Sequence, residues 1–393
     1  MKQYLFPANI LLPKKDFEKW AVIACDQYTS DAKYWDEVNS LVGSNPSALN
    51  LVLPEIYLAE SSERVAKIND TMKKYLEEGV FCEYENSAVY IEREITGGAI
   101  RPGILALIDL EEYEYESGKN ALTRATEQTV AERIPPRVEI RRDASIEFPH
   151  ILLFIDDPDN KVINSAAKDK QNLEKLYDFN LMQNGGHITG FRLSADILKS
   201  VNKSLDTLVK QGLLFAVGDG NHSLATAKEC HNINRTELSR YALVEVVNIH
   251  NPAIEFEPIY RVLFGANKQD VISFLKEKNA QVKSDTIHKF TVLGGTDTSL
   301  SLCATSKLPV GTLQAYLDEY LVLHPEVEID YIHGIEATRE LCLKDNTVGF
   351  LFEGMRKYEL FDAVIADGSL PRKTFSMGHA DDKRFYIEGR RIK

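Results

Sequence analysis

Apolar residues recur along this chain with two different periods, and the period predicts the local structure. In residues 60–80 they return every three or four positions, which is typical of an amphipathic helix, and Gly79 provides its end. In residues 87–95 apolar and polar residues alternate, which predicts a half-buried strand. Segments of both kinds alternate along the whole sequence. We therefore expect an α/β (α+β) fold in which mixed sheets and helices form layers.

Other segments are assigned by their apolar runs and their turn residues. Apolar runs predict a strand in residues 17–28 that ends at Cys25-Asp26, and in residues 47–58 a strand followed by a turn at Pro54. A helical pattern covers residues 166–181. The C-terminal part alternates between helix and strand in the order 311–322, 327–332, 334–343, 347–353 and 358–366.

No internal repeat or long linker divides the chain. We expect three intertwined portions: an N-terminal α/β portion (1–115), a central portion (116–265) and an additional C-terminal α/β portion (266–393).

Composition restricts the class of protein. The net charge of −13 argues against a general nucleic-acid-binding or membrane-coating protein. The five cysteines form no CxxC pair, which fits a reducing cytosol and argues against a disulfide scaffold or structural zinc. The first residues do not resemble a signal peptide, and no apolar run approaches the ~20 residues of a membrane span. We expect a cytoplasmic protein that acts on a small molecule, without haem or flavin, and leave its oligomeric state open.

The most chemically suggestive stretch lies between an apolar run and a helical pattern in residues 213–231. Its turn consists of Gly218, Asp219, Gly220, Asn221, His222 and Ser223. The glycines permit positive φ, and the free N–H groups of a following helix attract anions such as phosphate. Asp219 and Asn221 supply oxygen ligands suited to Mg²⁺, and His222 can move a proton or bind phosphate. A helix cap with a tight turn would need similar residues, so the local sequence leaves both interpretations open.

A second candidate surrounds the double proline at residues 135–136. Arg124, Glu127, Thr129 and Arg137 lie in this segment. Arginine binds phosphate or carboxylate with two parallel hydrogen bonds, so the segment is a candidate anion site. Exposed Glu–Arg pairs on a short helix are the alternative interpretation.

Two further segments contribute candidates. Arg372 and Lys373 belong to a basic C-terminal stretch that suits either a phosphate or the exposed edge of a terminal strand. Asp26 and Tyr28 follow a predicted strand. Polar residues in such positions line ligand crevices in α/β layers, although they also cap helices.

Five stretches, in order, resemble those of a known family. They are KWAVIACDQYTS, TRATEQTVAERIPPRVEIR, GDGNHSLATAKE, IDYIHG and LPRKTFSMGHADDKRFYIE. Together they closely resemble a bacterial and archaeal domain-of-unknown-function family, number ten-fifteen.

A more distant likeness connects this family with the ParB/sulfiredoxin-like superfamily, which includes free-serine kinases. In those kinases an Asp-Gly-His-His-Arg run begins a helix and binds the nucleotide phosphates. Asp219, Gly220 and His222 match that run, whereas Asn221 replaces the first histidine and Ser223 replaces the arginine. The resemblance implies ParB/sulfiredoxin-like core elements and a phosphate site at this turn.

The leading hypothesis is a nucleotide-binding phosphotransferase that uses ATP or ADP with Mg²⁺ on a small hydroxyl metabolite, such as an amino acid. Asp219 or Glu127 would accept the hydroxyl proton, and the arginines would neutralise charge. One alternative is a ligand-gated regulatory module of ParB-like type, which binds or hydrolyses a nucleotide. Another is a hydrolase or isomerase that uses Asp219 and His222 as an acid–base pair.

Overall fold

A computed structural model describes residues 2–116, 118–128 and 134–393, which form eleven α-helices and eighteen β-strands. The helices are α1 (Phe17–Trp20), α2 (Ala32–Val42), α3 (Ser61–Glu77), α4 (Ile134–Arg142), α5 (Lys161–Ala167), α6 (Ala195–Leu205), α7 (Asn221–Ile233), α8 (Lys268–Asn279), α9 (Pro309–Leu323), α10 (Ile335–Leu341) and α11 (Leu360–Asp367). The strands are β1 (Ala8–Pro13), β2 (Phe81–Glu94), β3 (Ile100–Asp109), β4 (Tyr113–Glu114), β5 (Thr123–Arg124), β6 (Ile146–Glu147), β7 (Leu152–Ile155), β8 (Lys175–Asn180), β9 (His187–Leu193), β10 (Phe215–Asp219), β11 (Tyr241–Asn248), β12 (Phe256–Phe264), β13 (Ile287–Val292), β14 (Thr298–Cys303), β15 (Glu328–His333), β16 (Thr347–Phe352), β17 (Phe375–Met377) and β18 (Arg390–Arg391).

A large mixed sheet positions the candidate site. Its strands follow the order β4-β5-β10-β7-β11-β3-β2-β9-β8, and β1 pairs with β2. Pairing is parallel between β4 and β5, β5 and β10, and β7 and β11, whereas the other pairs are antiparallel. The expected mixed α/β class is confirmed. This sheet takes strands from both sides of residue 115, so the first two portions share one scaffold.

The second sheet is antiparallel and lies later in the chain. Its order is β14-β13-β16-β12-β15, with β17 paired to β12. Its apolar face packs against α8, α9 and α11. β12 begins at Phe256, before the boundary expected at residue 265, and the three-portion division remains a prediction.

Apolar side chains cover both faces of the large sheet. Along β2, Ala88 and Tyr90 belong to the cluster that includes residues of α5, α6 and α7, whereas Val89 and Ile91 belong to the opposite cluster with α2 and α3. This alternation follows from the two-residue period of a strand. No helix in the described ranges is long and apolar enough to cross a membrane.

Three predicted elements were wrong. Residues 17–28 form the short helix α1 followed by an irregular segment that is buried at residues 21–24, because a short apolar run does not distinguish a strand from these structures. Residues 47–58 contain the 3₁₀ helices Ala48–Asn50 and part of Glu55–Glu60, so the strand predicted before Pro54 does not form. The Ser47 hydroxyl accepts from the Leu49 N–H, and such local hydrogen bonds compete with strand pairing. In residues 166–181, β8 (Lys175–Asn180) replaces the later part of the predicted helix because it pairs with β9.

Candidate functional site

The site begins at the strand ends of the large sheet, where β10 ends and β7 starts. Because the two strands are antiparallel, Asp219 at the end of β10 lies opposite Leu152, and His150 lies just before β7. The register shifts between Val217 and Asp219. A Cβ atom on the intervening Gly218 would lie 2.5 Å from the Phe154 ring, so the close packing here requires glycine.

A cleft opens at these strand ends, and its walls include loops, part of α4 and the start of α7. Its volume is about 280 Å³, near the small end of the usual range for ligand pockets. The cleft is lined by Cys25, Asp26, Glu55, Glu127, Gln128, Arg137, His150, Asp219, Gly220, Asn221, His222, Ser223, Arg372, Lys373 and Tyr386.

Gly220 forms the turn between β10 and α7. Its φ is +81°, and a Cβ atom there would lie 2.4 Å from the backbone oxygen of His150. Both the positive φ and the close backbone approach therefore require glycine. The turn places the first residues of α7 in the cleft, where the backbone N–H groups at the start of the helix lack intrahelical acceptors.

Asp219 is held as an anion by its neighbours. Oδ2 lies 2.6 Å from Lys383 Nζ and 3.2 Å from His150 Nε2, and Oδ1 accepts a 2.8 Å hydrogen bond from the Gly220 N–H. Burial opposes ionisation, but the Lys383 ammonium and the His150 ring hold the pKa of Asp219 well below its usual range. Asp219 is therefore a poor proton acceptor near neutral pH.

Glu127 has the opposite character. Residues 125–128 follow β5, which runs parallel to β10, and they pair with Leu370 through two backbone hydrogen bonds. Burial raises the pKa of Glu127 to about 7, and the negative charge of Asp219 adds to the effect. The Thr374 N–H donates to Glu127 Oε1 at 3.1 Å and partly opposes the rise. A carboxyl group that titrates near neutral pH suits general acid–base chemistry.

The cleft also has two exposed cations, Arg372 and Lys373. Arg372 donates to the Tyr331 hydroxyl at 3.1 Å, and both cations lie within 6 Å of the Tyr331 ring. Neither forms an ion pair with any residue that the structure describes. The buried Arg261 donates to the backbone carbonyl groups of both residues and so anchors this segment. These cations are available to an anionic ligand.

The remaining wall combines an ion pair with unreactive groups. Arg137 on α4 pairs with Glu55, and Asp26 is an exposed carboxylate at the rim. Burial raises the pKa of the Cys25 thiol to about 12, so this cysteine remains protonated and is a poor nucleophile. Burial also raises the pKa of the Tyr386 hydroxyl well above its usual value.

The structure brings most of the predicted site residues to this cleft. Those that line it are Asp26, Glu127, Arg137, Asp219, Gly220, Asn221, His222, Ser223, Arg372 and Lys373. Thr129 lies outside the described residues.

Three predicted residues do not line the cleft. Gly218 lies behind it against Phe154. Arg124 is buried and donates to the backbone carbonyl groups of Ala121 and Gln211, so its guanidinium group anchors a loop. Tyr28 bonds to Asp381 and stacks on Tyr34 with ring centroids 4.0 Å apart.

Several important residues were missed by the sequence analysis. His150 and Glu55 have no motif of their own, and only the fold brings them to Asp219 and Arg137. Lys383 belongs to the basic C-terminal stretch, so the charge pattern of the sequence indicates this region as a candidate. That signal did not indicate which lysine contacts the site.

The residues around Asp219 do not fit the magnesium ion that the sequence suggested. Both carboxylate oxygens already contact donors, and the Lys383 ammonium at 2.6 Å would repel a divalent cation. Among the described residues, no three histidine, cysteine, aspartate or glutamate side chains come together as a metal site. We therefore derive no step through a protein-bound metal.

The family resemblance is confirmed by comparison with known families. The profile of the protein family of unknown function DUF1015 matches residues 5–335. The chain belongs to this family. The matched range contains the strand–turn–helix of the cleft, whereas Arg372, Lys373 and Lys383 lie beyond it. No curated protein matches this member of the DUF1015 family.

Matches to solved structures were also found. A mutant free serine kinase in complex with AMP is 11% identical, with a TM-score of 0.43, and the match covers 75% of this chain and 93% of that chain. A mutant free serine kinase in complex with ADP is 12% identical, with a TM-score of 0.41 and coverage of 72% and 91%. C-terminally truncated SbnI from Staphylococcus aureus is 12% identical, with a TM-score of 0.37 and coverage of 70% and 82%.

Proposed function

We propose that the cleft binds a nucleotide and transfers a phosphoryl group to the hydroxyl of a small metabolite. The observation that carries this proposal is Glu127, a carboxyl with a pKa of about 7, in the same cleft as a helix N-terminus and two cations that form no ion pair with the described residues. Phosphoryl transfer depends mainly on positioning and on neutralising charge. Phosphoryl transfer to a hydroxyl also needs a base that is deprotonated near neutral pH, and Glu127 would supply it.

The phosphate groups would lie between the first turn of α7 and Arg372. The free N–H groups and the positive end of the helix dipole favour an anion at residues 221–223. Arg372 supplies a planar set of donors for phosphate oxygens, and Lys373 adds a second positive charge. The likeness of the 219–222 run to the phosphate-gripping motif of free-serine kinases supports a nucleotide as the phosphate donor.

The substrate would be oriented by Glu127 and Asn221. The Asn221 Oδ1 atom is buried and has no hydrogen-bond partner among the described residues. Such an atom costs free energy unless a donor reaches it, and an amine or a second hydroxyl of the substrate would supply that donor. Glu127 would accept the hydroxyl proton as the oxygen attacks the terminal phosphorus and the nucleotide oxygen leaves.

Asp219 has a positioning role in this proposal. Its low pKa and its contact with Lys383 argue against a role as base, and they argue equally against the alternative in which Asp219 and His222 form an acid–base pair. Asp219, which Lys383 keeps ionised, instead places a negative charge near Glu127, and this charge contributes to the raised pKa of Glu127.

Binding is tested by calorimetric titration of ATP, ADP and CTP, with and without Mg²⁺. We expect Arg372→Ala to weaken nucleotide binding by about tenfold, which corresponds to the loss of a charged hydrogen bond. Arg356→Ala is the matched control because Arg356 is exposed, pairs with Glu353 and does not line the cleft. The absence of binding by all three nucleotides would refute the proposal.

Turnover is tested by phosphorus NMR with the bound nucleotide and a panel of hydroxyl metabolites. We expect Glu127→Gln to lower kcat by about 10²- to 10⁴-fold and to leave nucleotide affinity at least as high. Glu114→Gln is the control, since Glu114 pairs with Lys119 outside the cleft. Binding without any product, together with a change in oligomeric state, would indicate the regulatory module instead.

A further inference from the structure

A second cavity adjoins the cleft on the side of α3 and α4, and we call it the chamber. It has a volume of about 170 Å³. The cleft and the chamber share Cys25, Arg137, His150, Ser223 and Tyr386 as lining residues. A molecule bound in the cleft can therefore extend into the chamber past side chains that it already contacts.

The chamber differs from the cleft in its chemistry. Its apolar lining includes Leu51, Leu53, Met72, Ile140, Ile146 and Phe148. The polar groups among its walls are already engaged: Glu147 pairs with Arg141 and Arg390, and the Thr226 hydroxyl donates to the His222 carbonyl oxygen at 2.7 Å. An occupant would consequently gain mainly apolar contact.

We propose that the chamber holds the base of the same nucleotide whose phosphate groups lie in the cleft. This inference rests on the proposed function. A nucleotide has anionic phosphate groups at one end and a flat aromatic base at the other, and the two adjoining cavities match these ends in order. The small volume of the chamber favours a compact ring over a long aliphatic chain.

The side chains at the boundary between the two cavities fit the part of a nucleotide that links the base to the phosphate groups. The Tyr386 ring packs edge-on against His150, with centroids 6.1 Å apart and an interplanar angle of 87°. Its hydroxyl is neutral because burial raises its pKa, so the boundary adds aromatic surface without a negative charge. Ser223, in the first turn of α7, lines both cavities.

The test compares ADP, CDP and pyrophosphate by calorimetry. We expect the wild-type protein to bind at least one of the two nucleotides tenfold or more tightly than pyrophosphate. Ala144→Phe places a ring in the chamber, because Ala144 is a buried lining residue. It should weaken binding of that nucleotide at least tenfold and leave pyrophosphate affinity unchanged, whereas Arg372→Ala should weaken both.

A second variant provides the same test if Ala144→Phe does not fold. Ile140→Ala removes apolar surface at a half-buried chamber position and should weaken the nucleotide several-fold but not pyrophosphate. Equal affinity of pyrophosphate and both nucleotides, or equal weakening of all probes by the chamber variants, would overturn this inference and leave the anion site intact. No binding of any probe would instead overturn the proposed function.

Discussion

Replacement of Glu127 by glutamine tests the electrostatics of the cleft without any knowledge of the ligand. The pKa of Glu127 rises from an ordinary value of 4.5 to about 7 in the folded chain, chiefly because of burial. The folded state therefore holds the proton more tightly than the unfolded state does. The stability that this protonation contributes is fully present below pH 4.5 and is lost as the pH rises through 7.

The magnitude follows from the difference between the two pKa values. At about 1.4 kcal/mol for each pKa unit, the protonated carboxyl contributes about 3 kcal/mol that is absent at pH 8. Glutamine is close to the protonated carboxyl in shape and cannot ionise. We expect Glu127→Gln to have a similar free energy of unfolding to the wild type near pH 4.5 and to be more stable by about 3 kcal/mol near pH 8.

The assay is urea unfolding of both proteins across this pH range, with the difference in free energy of unfolding plotted against pH. Subtracting the two curves cancels the other titrating groups that they share. If the difference stays constant from pH 4.5 to 8, Glu127 has an ordinary pKa and the argument that makes it the base fails.

Three other changes test how the cleft is supported. Lys383→Met should lower the free energy of unfolding by about 3–5 kcal/mol because it leaves Asp219 buried without its cation, and adding Asp219→Asn should recover much of this loss in urea unfolding. Gly220→Ala should cost more stability than Gly43→Ala: both have positive φ, but only Gly220 lies against a backbone carbonyl, and equal costs would contradict the clash. Arg261→Lys should weaken nucleotide binding measured by calorimetry, because the single ammonium of lysine cannot reproduce the separately placed Nη1 and Nη2 donors of the guanidinium, and unchanged affinity would contradict its anchoring role.

The sequence by itself determined the strand–turn–helix that carries the site. Its signals are the apolar run before Gly218, the two glycines and the helical pattern after residue 221. All three are local features, and the local backbone conformation depends mainly on adjacent residues. The same local information predicted most helices and strands. It did not predict β8, whose residues have a helical pattern but pair with β9.

Only the tertiary structure decided which groups share the cleft and how they titrate. Asp219 is held as an anion by Lys383, 164 positions away, and Glu127 meets Thr374 across 247 positions. Arg124, a strong candidate by residue type, is turned into the protein to bond two carbonyl groups. A pKa depends on burial and on charges within a few ångströms, and neither quantity is a local property of the chain.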